Sequence, residues 1–211
     1  MTQFPKSKMT KEVWNYLDSR GKINTINWFI NSKYRISKRL TSWLKEQVII
    51  PEKELELCDE IMINILRETR KEIIYKSDNN IWQMSEYWQT YKETNELKTG
   101  DCEDGAIYMY IKARQSGVPA NRLLLMCGDV INPSTKSLTG HCWLAYRSDG
   151  NPFGFEFLDW CYYYNANNIG DRPRYNVNKQ EIQDYNRKYF KLWFAFNEEK
   201  SHSEIIYNEV L

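Results

Sequence analysis

No apolar run in this chain approaches the ~18 residues that would cross a bilayer. The opening stretch, "MTQFPKSKMTKEVW", also lacks the apolar centre of a secretory signal. A soluble, cytoplasmic protein is therefore expected, with no membrane partner. The five cysteines (Cys58, Cys102, Cys127, Cys142 and Cys161) are odd in number, follow no repeating framework and include no C-x-x-C. That pattern argues against a disulfide scaffold and a structural zinc site, and for free thiols in a reducing compartment. Histidine is scarcer still, with only His141 and His202. Repeats, low-complexity segments and nucleic-acid reader motifs are lacking, so no nucleic-acid partner is expected.

What is present describes a globular chain. Of its 211 residues, 42% are hydrophobic, 15% aromatic and 27% charged, enough for one good core. Net charge is only +1 but unevenly spread: residues 1–50 carry 10 Lys/Arg against 3 Asp/Glu, and residues 51–104 carry 7 against 14. A basic helical segment docking on an acidic one, or two solvated faces, would account for this.

Apolar spacing predicts helices through Val13, Trp14 and Leu17 and from Ile26 to Leu44, separated at Gly21, with Pro51 as a stop. Leu55, Cys58, Ile61, Met62, Ile65 and Leu66 predict an amphipathic helix within 51–74. Another follows Asp104, with Gly117 as its C-terminal cap and Pro119 beyond. The pattern then turns to strands over 122–130, 141–147 and 153–160, with a turn at Ser148–Asn151, and a further strand over "YFKLWFAF". Helices followed by a strand meander predict an α+β fold, with an N-terminal helical region over 1–75 and a core over 76–211 in one compact unit.

The chemistry centres on Gly100-Asp101-Cys102-Glu103-Asp104. Flanking carboxylates should raise the pKa of Cys102, whereas a position at a helix start should favour its thiolate. The same backbone N–H groups can cap the carboxylates, so that their charge need not fall on the sulfur. A nucleophilic cysteine needs a base. His202 lies in the polar tail "EEKSHSE", whereas His141 opens an apolar strand 39 residues after Cys102, and Asp159 follows 18 residues later. Nucleophile, base and orienting carboxylate therefore occur in order. A three-residue Asp149-Gly150-Asn151 loop would pair Ser148 with Pro152 and set His141 directly opposite Asp159; a two-residue loop would turn Asp159 to the wrong face. The three-residue register, or a bulge of equal effect, is expected. Cys58, Cys127, Cys142 and Cys161 sit in apolar contexts and read as inert small hydrophobes.

The stretch W-Q-T-x-x-E-T-x-x-x-x-x-G-D-C-E-D (Trp88–Asp104), followed by a helix and then by "GHCWLAY" and "EFLDW", resembles the transglutaminase-like cysteine peptidase superfamily. It is most similar to the bacterial and phage-borne branch, which includes calcium-dependent proteases that clip adhesins. The resemblance spans roughly Ile81 to Tyr164. It implies a papain-like core packed on an antiparallel sheet, with Cys102 as nucleophile, His141 as general base and acid, and Asp159 orienting the imidazole. It also implies a protein or peptide substrate and no required cofactor, while allowing calcium at Asp101, Glu103 and Asp104. The chain departs from that branch in having Tyr91 where a proline is usual, and in lacking an export signal. The Cys102 backbone N–H would serve an oxyanion hole, with Trp88 or Gln89 supplying a second donor. Crosslinking instead of hydrolysis, and a non-catalytic binding or structural module, remain as alternatives. A phage or prophage component, virion-associated and docked through residues 1–50, is a third.

Overall fold

A computed structural model describes residues 26–132, 134–151, 153–162, 172–184 and 188–201, with side chains of the first helix from Ile36 onward. The expected helix around Val13–Leu17 and the tail histidine His202 lie outside the described residues.

Helix α1 (Ile26–Lys45) buries Ile36, Leu40 and Leu44, at the spacing of a single helix face. Helix α2 (Asp59–Glu72) buries Met62, Ile65, Leu66 and Thr69. It starts later than the sequence suggests, because Cys58 has no side chain able to cap it. The cap comes from far along the chain: the Asp149 carboxylate accepts from the N–H groups of Cys58 at 2.9 Å and Asp59 at 3.0 Å, and pairs with Arg122. Asp59 in turn accepts from the Asp149 N–H at 2.9 Å and the Tyr146 hydroxyl at 2.8 Å.

Four short elements follow, none evident in the sequence: strand β1 (Ile74–Tyr75), helix α3 (Asp78–Trp82), helix α4 (Tyr91–Leu97) and strand β2 (Thr99–Gly100), which pairs in parallel with β1. Each is too short for periodicity to reveal. Helix α5 (Cys102–Gln115) then runs through the centre, with every residue from Glu103 to Ile111 buried. A helix apolar on all sides belongs in a core. It ends as the sequence predicts. Gly117 takes φ +93°, its N–H reaches the Arg114 carbonyl at 3.0 Å, and the Val118 N–H reaches the Ala113 carbonyl at 3.0 Å. This left-handed cap would strain any side chain.

Strands β3 (Leu123–Ile131), β4 (Leu138–Tyr146), β5 (Gly154–Leu158), β6 (Arg174–Asn176), β7 (Glu181–Gln183) and β8 (Tyr189–Phe196) form an antiparallel sheet in the order β7-β6-β5-β4-β3-β8. The three-residue strands β6 and β7 were not foreseen, whereas β8 is the predicted final strand. The sheet curls until β7 comes back against β8, so both faces are buried. One face packs on α1, α2 and α5 around Tyr110, Leu125, Leu144 and Phe196. The other closes on itself around Trp143, Phe157, Tyr175 and Tyr189. The described part of residues 1–75 shares the first of these cores with α5 and the sheet. Among the described residues no helix is long and apolar enough to cross a membrane.

Candidate active site

The start of α5 is tied to the end of β5 by a close approach. A Cβ on Gly105 would lie 2.2 Å from the Trp160 indole, so only glycine admits the ring there. The Trp160 Nε1–H then donates to the carbonyl of Cys102 at 3.2 Å. Two separated sequence signals, G-D-C-E-D-G and F-L-D-W, thus become one structural unit.

Beside Trp160, Asp159 is wholly buried and receives four donors. His141 Nε2 lies 2.6 Å from Oδ2, the Tyr189 hydroxyl donates to the same oxygen at 2.5 Å, and the N–H groups of Cys161 and Tyr162 reach Oδ1 at 2.8 and 3.2 Å. Burial pushes the Asp159 carboxyl up, but His141 and these donors outweigh it and hold it below the ordinary carboxylate range. The His141 ring also lies against Trp143 and Tyr162, with centroids 5.9 and 4.7 Å away.

The strand register that brings this pair together is not the expected one. Leu144 faces Leu158 and Tyr146 faces Glu156, which sets Asp159 level with Trp143 and makes His141 its diagonal neighbour on the same face. The displacement is two residues, so the face is preserved while the partner changes. The connection is wider because its residues are engaged elsewhere. Asp149 caps α2, and the Asn151 side chain donates to Glu156 at 2.9 Å and accepts from the Phe153 N–H at 3.2 Å.

Cys102 and His141 line one cavity of about 240 Å³, together with Glu86, Trp88, Glu103 and Trp193. The half-buried Cys102 thiol donates to Glu103 Oε2 at 3.0 Å. Burial, followed by Asp101, Cys161 and Cys142, pushes the thiol up, and the Glu103 hydrogen bond offsets only part of that. Burial leads, and the Asp101 charge adds to it, so that carboxylate charge does reach the sulfur, contrary to the expectation that it need not. Cys58, Cys127 and Cys142 are buried, as their apolar contexts suggested, while Cys161 is half-buried beside His141 and Asp159.

The remaining candidates divide. Asp104 accepts from the Gln89 N–H at 2.8 Å, from the Gln89 side-chain amide and from the Asp101 N–H at 3.1 Å. The second amide hydrogen of Gln89 goes to the Thr99 carbonyl at 3.2 Å, so all the donors of Gln89 are engaged away from the cavity. Trp88 lines the cavity, with its indole N–H on Glu86 at 2.7 Å. Asp101 and Glu103 join Asp78 and Glu86, which the sequence reading missed, in overlapping groups whose oxygens lie within 4.8 Å of one another. Their only sequence signal was the acidic surplus over 51–104.

This cluster is poorly satisfied. Asp78 Oδ1, Asp101 Oδ1 and Glu103 Oε1 are buried without a hydrogen-bond partner among the described residues. Burial and mutual repulsion push Asp78 up to about 8 and raise Asp101 and Glu103 well above the usual range; Asp104, pushed up chiefly by burial, lies at about 7. Converging, orphaned hard oxygens suit a divalent cation such as calcium.

No family model and no curated protein matches the chain. Three solved structures of Legionella pneumophila LapG are similar to it. The calcium-bound form has 16% identity and a TM-score of 0.46 over 90% of this chain and 86% of that one. The EGTA-treated form has 17% identity and a TM-score of 0.45 over 94% and 87%, and a third has 16% and 0.45 over 98% and 97%.

Proposed function

We propose that this protein is a transglutaminase-like cysteine peptidase that hydrolyses an amide bond in a protein or peptide substrate. The observation that carries the reading is the 2.6 Å contact of His141 Nε2 with buried Asp159, at the edge of the cavity that also holds Cys102. With Nε2 committed to Asp159, Nδ1 is the nitrogen left to take the Cys102 proton as sulfur attacks the carbonyl. Negative charge developing on the carbonyl oxygen falls near the start of α5, where the Cys102 N–H can donate. His141 then returns its proton to the leaving amine, and water resolves the thioester. Trp88 and Trp193 supply apolar walls for the acyl group. Asp78, Asp101 and Glu103, with Asp104 and Glu86 beside them, are the residues that would hold calcium. Bound there, the cation supplies positive charge beside the helix start, which favours a thiolate.

A second reading, a non-catalytic module, is favoured by one observation: the thiol is held by Glu103 and its pKa is raised. Iodoacetamide labelling at mildly acidic pH, with mass mapping of all five cysteines, separates the two. Selective modification of Cys102 in calcium, slowed by chelator and abolished by His141→Ala, is the expected result. No preference for Cys102 in either condition overturns the peptidase reading. A reacted peptide pool then distinguishes hydrolysis, which yields cleaved masses, from crosslinking.

A further inference from the structure

We propose that His141, Asp159 and Cys161 form a second metal site, chemically distinct from the carboxylate cluster, for a divalent transition metal of the zinc class. A ring nitrogen of His141, a carboxylate oxygen of Asp159 and the Cys161 sulfur lie within 4.8 Å of one another. Zinc–ligand bonds of about 2.0–2.3 Å in a tetrahedron set neighbouring donors roughly 3.3–3.8 Å apart, so small side-chain shifts bring these three onto one ion. The turn after β5 makes this arrangement: Asp159 Oδ1 accepts from the N–H groups of Cys161 and Tyr162, which folds Cys161 back beside the carboxylate.

The donor set decides the class of ion. Nitrogen, sulfur and a single carboxylate suit a borderline metal, whereas the all-oxygen cluster at the start of α5 suits calcium. Charge balance agrees, since one thiolate and one carboxylate neutralise a dication, the thiol proton passing to solvent. His141 and Cys161 also line a separate cavity of about 260 Å³, with Arg70, Tyr75 and Tyr162, which has room for water as a further ligand. Metal binding stands independently of the peptidase reading. Its consequence rests on that reading: a metal-held His141 cannot take the Cys102 proton, so zinc would silence turnover.

The test is cobalt titration of the full chain in excess calcium, following the thiolate-to-cobalt charge-transfer band. Wild type and Cys102→Ser should saturate at one equivalent. Cys161→Ser should lose the band, and His141→Ala should weaken binding by at least the roughly ten- to hundredfold that loss of an outer-shell partner costs. A band that persists in Cys161→Ser, or that disappears in Cys102→Ser, overturns the site. If Cys161→Ser does not fold, maleimide labelling of wild type decides: Cys161 slowed by zinc but not by calcium supports the site, and equal rates refute it.

Discussion

Raising the pH from 5 to 8 in chelator should destabilise this protein, and calcium should reverse the effect. Asp78 and Asp104 are pushed up to about 8 and about 7, and Asp101 and Glu103 are also raised, by burial above all. Their unfolded values lie near 4. Between those limits the native state binds more protons than the unfolded state, so stability is full below the unfolded pKa and falls as pH climbs toward the folded values. One excess proton is worth about 1.4 kcal/mol per pH unit, so Asp104 alone, over the two units from pH 5 to about 7, removes about 3 kcal/mol, roughly 6–12 °C of melting temperature for a chain of this size, and Asp78 adds to it. Calcium at a hundred times its dissociation constant restores about 2.7 kcal/mol. Because cation and protons compete for the same oxygens, that gain should be larger at pH 8 than at pH 5. Glu198, pushed up to about 7 by burial, adds to the decline in chelator but lies outside the cluster. Asp149 and Asp159, both held low, lose their stabilisation only as pH falls below the ordinary carboxylate range, outside this window. The assay is thermal melting across pH in EDTA and in calcium, with Glu103→Gln as a control that should lessen both responses, the rest of the pH decline staying with Asp78 and Asp104. A melting temperature that is flat or rising in EDTA, or a calcium shift independent of pH, refutes the reasoning.

Three further outcomes follow from single contacts. Asp159→Asn turns an amide donor toward His141 Nε2 or the Tyr189 hydroxyl, enforcing the wrong tautomer; Cys102 alkylation in calcium should slow by roughly 10³–10⁴, and a change of only a few-fold would exclude a role for the carboxylate. Gly105→Ala drives a methyl into the Trp160 ring and should cost about 1–3 kcal/mol in urea denaturation, where an unchanged midpoint would disprove the close approach. Asp149→Ala removes the external cap of α2 and should cost about 1–2 kcal/mol; a neutral result would mean that water replaces the carboxylate.

The sequence revealed the parts whose cause is local. Helix α5 and its Gly117 cap depend on neighbouring residues, and so do the apolar runs of β3, β4 and β8. His141 and Asp159 meet despite the misread register for a geometric reason: a two-residue error leaves the face of a strand unchanged. What escaped depends on distant partners. The start of α2 is fixed by Asp149, about ninety positions away, and β6 and β7 are held by pairing rather than propensity. Asp78 and Glu86 have no motif of their own, and become visible only when the chain folds them against Asp101 and Glu103. Gln89 was a reasonable oxyanion donor by position, yet Asp104 and Thr99 take its hydrogens.

A cysteine set among carboxylates therefore has an account in physical terms. Buried acids with unpartnered oxygens destabilise an apo protein, and the thiol beside them is a weak nucleophile. Neither property suits an enzyme that must always be active. Both suit one whose site is completed by a cation, because one divalent ion at Asp78, Asp101 and Glu103 would relieve the repulsion and lower the thiol pKa together. Asp104 gives that linkage a rigid frame, since its bonds to Gln89 and Asp101 fasten the loop before α4 to the turn that carries Cys102. Stability and nucleophilicity should then rise over one calcium range. If the melting temperature and the Cys102 alkylation rate titrated at different calcium concentrations, the cluster would be a structural site only, and the thiol would be activated by something else.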